Sequence, residues 1–532
     1  MFGDLILRKE SEENAVNLGR LVSRSACYWP DAIAAADARR RVSYRQLDER
    51  SNRLANALLG LGLDAGDRVA MYSLNRSELV EVEVALYKAG LVKAPLNARL
   101  SLEEALHVLA DARARVLVVG PEHAPAVLDQ SVDLPEVEHI VVIGEDSDRG
   151  YENLLAKGAL QGPDVAVADD APAVLHYTSG SSGRLKAAVQ TFGNRMALVR
   201  KSLMLPEGRF SRNECVGHVG PVTHASGMQI MPTLATGGCN YLIDRFDIES
   251  LFATVEREKL TRFFAVPTML YRLLDSGLTD KYDLSSLSRI TYGAAPMAPP
   301  RLREAMDVFG PIFTQGYGAG ETTSTISILT LEDHLRALKG DKPELLASCG
   351  RPYGESEVIV ADDDGNPVAT GEAGEILVRG PDVMQGYWGA PDLTAEVISN
   401  GWYHTGDVAR QDEEGFFFII DRKKDMIISG GFNIYPAEIE KVLYQHESVA
   451  ECCVVGAPDQ EWGEKIIAFV VCRPDQSITE PALIDYCAQH LAGFKKPRHI
   501  RFVEELPKNP NGKVARRLVR DTFWKGQDRQ VG

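Results

Sequence analysis

The chain has 532 residues, more than one hydrophobic core usually organises, so two or more domains are expected. Its apolar share of 45% and charged share of 25% are those of an ordinary soluble globular protein. A formal net charge of −17 lacks the basic surplus of a nucleic-acid binder, and no apolar run approaches the roughly 20 residues that a bilayer span needs.

The first 170 or so residues alternate helix and strand signals. Ser43-Tyr44-Arg45-Gln46 has capping-box form, and Leu47, Leu54, Leu58 and Leu61 then recur on one helical face until Gly60 and Gly62 close it. Strands are predicted over 67–73, 116–120, 139–144 and 173–176. Near-continuous β-branched runs between helices predict a parallel sheet covered on both faces. The alternation continues to 329, with strands over 262–267 and 289–293. Near residue 345 the texture changes to short strands, over 350–360, 374–380 and 415–420, with a hairpin signal at Asp364-Gly365. The charged stretch Asp421-Arg422-Lys423-Lys424-Asp425 then separates a final portion of about a hundred residues. There Pro436 opens a helix over 437–446, strands follow over 449–456 and 466–472, and a helix lies around 484–490.

The eight cysteines form no C-x-x-C pair and do not cluster with histidine at zinc spacing, so they read as buried thiols in a reducing compartment. The N-terminal stretch lacks a signal-peptide apolar core, and the C-terminal residues carry no prenylation or peroxisomal signal; a cytoplasmic protein is expected.

Five segments carry candidate chemistry. After the strand at 173–176 comes Tyr177-Thr178-Ser179-Gly180-Ser181-Ser182-Gly183-Arg184-Leu185-Lys186. Glycines that admit backbone N–H groups, hydroxyl donors and a lysine suit the phosphates of a nucleotide, although an isolated loop of this composition equally suits a surface turn. It does not fit the Walker A pattern. The second, Gly316-Tyr317-Gly318-Ala319-Gly320-Glu321-Thr322-Thr323, offers an aromatic for a base and a carboxylate for a phosphate-borne metal, or simply a turn. The third, Gly401-Trp402-Tyr403-His404-Thr405-Gly406-Asp407, places a carboxylate that suits ribose hydroxyls or a turn cap. The fourth runs from Asp421 through Ser429-Gly430-Gly431 to Pro436-Ala437-Glu438-Ile439-Glu440. The fifth is Asn509-Pro510-Asn511-Gly512-Lys513-Val514-Ala515-Arg516-Arg517, on charge alone an exposed basic loop.

In this order and spacing the five segments closely resemble the acyl-CoA synthetase branch of the adenylate-forming enzymes, over about residues 15–520. The resemblance implies an α/β fold: a large N-terminal part of two doubly wound α/β subdomains plus a small β-barrel, then a small mobile α+β C-terminal domain. It places the N-terminal domain at 1–421, a hinge at 422–425 with Lys424 as its pivot, and a C-terminal lid domain at 426–532. The implied activity is ATP-dependent joining of a carboxylic acid to coenzyme A through an acyl-adenylate, with ATP, Mg²⁺ and coenzyme A as cofactors. Lys513 corresponds to the adenylation lysine, and an ammonium there would offset the repulsion between carboxylate and α-phosphate.

The same resemblance assigns the nucleotide to Thr178, Ser179, Gly180, Ser181, Ser182, Gly183 and Lys186 around the phosphates. It sets Gly293, Ala294 and Ala295 against adenine, with Gly316, Tyr317 and Gly318 beside it. Asp407 falls to the ribose, and Arg422 to the ribose or a phosphate. Glu321 and Thr178 would serve Mg²⁺, His224 would lie between acyl pocket and thiol tunnel, and Ser429, Gly430 and Gly431 would line that tunnel. Alternatives are an acyl-AMP ligase serving an acyl carrier protein or partner enzyme, and a non-catalytic nucleotide-binding protein. A homodimer is left open.

Departures from the pattern lie at Ser181-Ser182, Leu185, Ala187 and, most of all, Gly320, where the family often has threonine with its hydroxyl near the α-phosphate. Unless Thr322 or Thr323 substitutes, one hydrogen bond to a charged group is lost, about 1.5–3 kcal/mol. No acidic residue stands near Thr223 to pair an amino group, which disfavours amino acids. Small residues (Ala225, Ser226, Gly227, Gly316, Gly318, Ala319 and Gly320) imply room for a fatty, aryl or polycyclic acid.

Overall fold

A computed structural model describes residues 17–129, 132–134, 136–179, 185–205, 210–323, 325–430, 432–474, 476–508 and 514–524. Four sheets organise them. In the first, the parallel strands Val92–Leu96, Arg68–Tyr72, Val116–Val119 and His139–Val142 lie beside the hairpin of Pro172–Ser179 and Leu185–Thr191. In the second, five parallel pairings join Ile33–Ala36, Cys239–Leu242, Cys215–His218, Arg262–Ala265, Arg289–Gly293 and Phe313–Gly318. The α/β architecture is as expected, with one correction to its boundaries. Ile33–Ala36 joins the second sheet, Ala35 facing Asn240, while Gly386–Tyr387 returns to the first beside Val189.

The local signals form as their chemistry dictates. Ser43 accepts from the Gln46 N–H, Gln46 returns the bond, and the helix Tyr44–Gly60 buries Leu47, Leu54 and Leu58 completely. The strand predicted over 262–267 ends at Ala265, because Pro267 supplies the first turn of the helix Pro267–Leu274. The helix Ser77–Ala89 is buried almost all round, packed in a cluster that also takes Leu58, Phe192 and Leu234. Its acidic residues are therefore paired: Glu81 meets Arg40 and Arg50 at 2.8 Å each, and Glu83 meets Lys93 at 2.7 Å and Arg195 at 3.3 Å.

After residue 345, five antiparallel strands form the β-rich unit, in the place of the expected barrel, ending with Trp402–Gln411 and Phe417–Arg422. The charged stretch is a short turn, Lys423–Asp425. The final portion has its own sheet, in which Val449–Asp459 and Gly463–Cys472 pair over their whole lengths, longer than predicted. Its apolar clusters draw only on residues beyond 426, and the clusters before it only on residues up to 418. All eight cysteines are unpaired, but only Cys349, Cys452, Cys453 and Cys487 are buried; Cys27 is exposed. Among the described residues no helix is long and apolar enough to cross a membrane.

Candidate active site

Two polar constellations meet where the first two sheets face the β-rich unit. In the first, Tyr317 at the end of its strand donates its hydroxyl to Asp407 Oδ2 at 2.7 Å, and Arg422 Nε meets Asp407 Oδ1 at 3.0 Å. Asp407 is buried; the Arg422 side chain is half open to solvent. Thr405 and Glu375 fix the turn, taking the N–H groups of Asp407 at 3.1 Å and Gly406 at 2.9 Å. Burial and the adjacent Asp407 charge push the Tyr317 phenol well above its ordinary pKa, so it stays a donor. Both oxygens of one carboxylate are thus oriented by a phenol and a guanidinium, as a ligand with vicinal hydroxyls requires.

In the second, Glu321 accepts from the Tyr387 hydroxyl at 2.9 Å and lies 3.4 Å from Thr178 Oγ1. Lys186 Nζ sits 3.7 Å above the Tyr387 ring. Burial pulls the Lys186 pKa down, against the attraction of Glu321. Tyr387 carries no signal of its own in the sequence; its place follows from the pairing of Gly386–Tyr387 with the strand that carries Lys186. Among the described residues no group of three or more His, Cys, Asp and Glu could hold a metal ion. One carboxylate and a hydroxyl fit Mg²⁺ only if phosphate oxygens and water complete its shell, which is the usual mode for that ion.

The Gly293 and Gly316 strands are in register, and a Cβ on Gly293 would stand 2.2 Å from the Gly316 carbonyl oxygen. Beyond them Ala294 is exposed in the left-handed region at φ 64°, and Ala295 is half-buried. His224 is half-buried, its Nδ1 2.9 Å from the Thr223 hydroxyl, and its ring meets His176 edge to face at 5.7 Å.

Several small residues do not leave room as the sequence implied. Ser226 is buried, its carbonyl and hydroxyl 3.0 and 3.3 Å from His218 Nδ1. A Cβ on Gly227 would collide with the Val222 carbonyl. The space at Gly320 is filled by His176, whose Cδ2 lies 2.3 Å from where a Cβ would stand. Nor does either threonine replace the missing hydroxyl. Thr322 is fully buried and bridges the N–H and carbonyl of Ala319, and Thr323 is fully buried in the left-handed region at φ 56°. Burial, reinforced by His224, lowers the His176 pKa to about 3 and keeps that ring neutral.

Of the remaining residues, Ser429 ends the strand Ile427–Ser429, and Gly430 donates its N–H to the Trp462 carbonyl at 2.8 Å, its backbone against the indole. Lys424 is exposed in the turn after Arg422. Ser179 ends its strand. Gly180, Ser181, Ser182, Gly183, Gly431 and Lys513 lie outside the described residues. Lys508 and Val514, which flank the Lys513 segment, pair with each other, and Arg516 just beyond contacts Asp421 at 3.2 Å, Asp425 at 3.3 Å and Glu440 at 2.7 Å.

Comparison with known proteins agrees with this geometry. Residues 22–388 match the AMP-binding enzyme family and residues 438–513 match the AMP-binding enzyme C-terminal domain. The chain belongs to this family, in the acyl-CoA synthetase branch of the adenylate-forming enzymes. It is 36% identical to a medium/long-chain fatty-acid–CoA ligase of Mycobacterium tuberculosis, over 92% of this chain and 87% of that one. A feruloyl-CoA synthase of Amycolatopsis is 38% identical over 95% and 99%. The crystal structure of an anthranilate CoA ligase in complex with anthranoyl-AMP superposes with a TM-score of 0.86 at 26% identity, covering 96% of this chain and 97% of that one.

Proposed function

We propose that the protein is an ATP-dependent acid–thiol ligase that converts an apolar carboxylic acid, aliphatic or aryl, to its coenzyme A thioester. The observation that carries this reading is the fixed pair of constellations, Tyr317–Asp407–Arg422 and Thr178–Glu321–Tyr387. A nucleotide laid along them has its ribose hydroxyls on Asp407 and Arg422. Its base lies against Gly293, Ala294, Ala295, Gly316, Tyr317 and Gly318. Its phosphates run toward Thr178, Lys186 and the loop from Ser179 to Gly183.

A carboxylate oxygen of the acid bonds to the α-phosphorus, and the bond from that phosphorus to the bridging oxygen breaks, its electron pair leaving with pyrophosphate. Lys513 is assigned the ammonium that offsets charge between the two anions as they meet. Glu321, with Thr178, would hold Mg²⁺, which supplies charge neutralisation on the phosphates when bound. In the second half-reaction the coenzyme A sulfur bonds to the acyl carbon, and the acyl–oxygen bond breaks to release AMP. Ser429, Gly430 and Gly431 are assigned to the thiol's approach, His224 to the boundary of the acyl pocket, and Lys424 to the hinge between the two arrangements, in an N-terminal domain at 1–421 and a C-terminal lid at 426–532.

The test is acid-dependent pyrophosphate release over fatty, aromatic and polycyclic acids, with the thioester identified by mass spectrometry. Release with no coenzyme A thioester, but with acyl transfer to an acyl carrier protein, would replace the acceptor. No release with any acid would remove the reading.

A further inference from the structure

The residue before Glu321 has no side chain, and the space it leaves is occupied. A Cβ at Gly320 would stand 2.3 Å from His176 Cδ2, 2.9 Å from His176 Nε2 and 3.0 Å from Thr178 Cγ2. His176 comes from the strand Pro172–Ser179, two positions before Thr178 and on the same face, since side chains alternate along a strand. It is 8% exposed, no hydrogen bond joins its ring nitrogens to a described residue, and neither nitrogen is among the fully enclosed side-chain atoms that lack a partner, so both keep contact with solvent. An otherwise buried imidazole whose nitrogens reach solvent and are not committed to a described residue has an N–H free to donate to a ligand. The ring meets His224 edge to face at 5.7 Å, and Thr178, two positions on, lies 3.4 Å from Glu321.

We propose that His176 is a substrate-contacting residue of adenylate formation, its ring N–H donating to an α-phosphoryl oxygen in the place that Gly320 leaves open. The inference rests on the ligase reading. There the Thr178–Glu321 side holds the outer phosphates and the His224 side borders the acid, so the group between them is the α-phosphate to which the acid is joined. A single imidazole donor there compensates for the hydroxyls of Thr322 and Thr323, both of which are buried away from the cleft. His176 and Gly320 form one unit: the ring fits only because residue 320 has no side chain.

The experiment is a mutant cycle at these two positions, read by calorimetric binding of AMP and of adenosine and by single-turnover pyrophosphate release. His176→Ala is expected to weaken AMP about tenfold while leaving adenosine unchanged, and to slow release about ten- to hundredfold. His176→Gln, which keeps an N–H donor, is expected to retain most of the rate. Gly320→Thr alone should impair the protein, because its side chain meets the ring. The double change, His176→Ala with Gly320→Thr, should recover AMP affinity and rate to within about fivefold of the parent. Equal weakening of AMP and adenosine by His176→Ala, or a double variant no better than His176→Ala, overturns the proposal. Melting temperatures of all variants separate these results from misfolding. Because AMP and adenosine binding need no acid, an unchanged AMP-to-adenosine ratio in His176→Ala removes His176 even if the parent proves to be a ligase. A parent that releases no pyrophosphate removes the ligase reading itself.

Discussion

The nucleotide side of the molecule and the seam to its C-terminal unit are built from opposite materials. The proposed nucleotide side is set into two large sheets that share one apolar cluster, and the carboxylates assigned to it, Asp407 and Glu321, are buried and already oriented by neighbours. Among the described residues the seam holds no shared apolar cluster. Across it the Asp421 carboxylate accepts from the Ala437 N–H at 2.7 Å, and Arg516, paired with Glu440 of its own unit, reaches Asp421 and Asp425. A preorganised grip needs no reorganisation during reaction, whereas a unit that must change partners is better attached by contacts that water can replace. The difference fits the proposed roles, binding for the first region and alternation for the second.

That division is most sharply broken or upheld at Lys513. Lys513→Ala should reduce acid-dependent pyrophosphate release by about a hundredfold or more. Thioester formation from supplied acyl-adenylate should stay within about threefold of the parent rate. Equal loss in both half-reactions would contradict a residue that serves only one arrangement.

A smaller effect is expected on the fixed side. Asp407→Ala removes the acceptor of Tyr317 and Arg422, and the KM for ATP should rise about 10- to 100-fold, the range of a lost charged hydrogen bond. Both half-reactions require the same ribose contact, so an unchanged KM would detach Asp407 from the nucleotide.

The smallest effect lies in the seam itself. Burial, only partly offset by Arg516, raises the Asp421 pKa to about 6 from 3.8. A carboxyl whose folded pKa is raised contributes stability below its unfolded pKa and loses it as pH climbs through the folded value. Between pH 4 and pH 6.5 the parent should therefore lose stability relative to Asp421→Asn. At about 1.4 kcal/mol per unit the total is on the order of 2–3 kcal/mol. Melting temperatures of the pair at pH 5 and pH 7 check this: the difference should move toward the parent at pH 5, and a constant difference would show that Asp421 is not desolvated.

The sequence showed what short-range physics writes. The capping box at Ser43, the proline at the start of Pro436–Leu443 and the β-branched strands are local and formed at the predicted places, although that helix stops at Leu443 rather than 446 and several strand ends differ. Sheet membership was not legible, since Ala35 pairs with Asn240 across some two hundred residues and leaves no periodicity to read. The candidate site divides the same way. Glycines, a carboxylate and an aromatic at family spacing pointed to Tyr317, Glu321 and Asp407, which the fold brings into the two constellations. Tyr387 and His176 escaped notice because their meaning is positional. A polar residue inside the apolar run before the glycine loop was the one available signal for His176. Small residues misled for a related reason: Gly320 and Gly227 mark where another group has moved in, and volume is shared between chain segments that the sequence does not show as neighbours.

The ionic character of the seam also bears on what the proposed swing would expose. Among the described residues each unit seals its own oily interior, so separating them would wet carboxylates and guanidinium groups that water solvates readily, with no sticky face offered to other proteins.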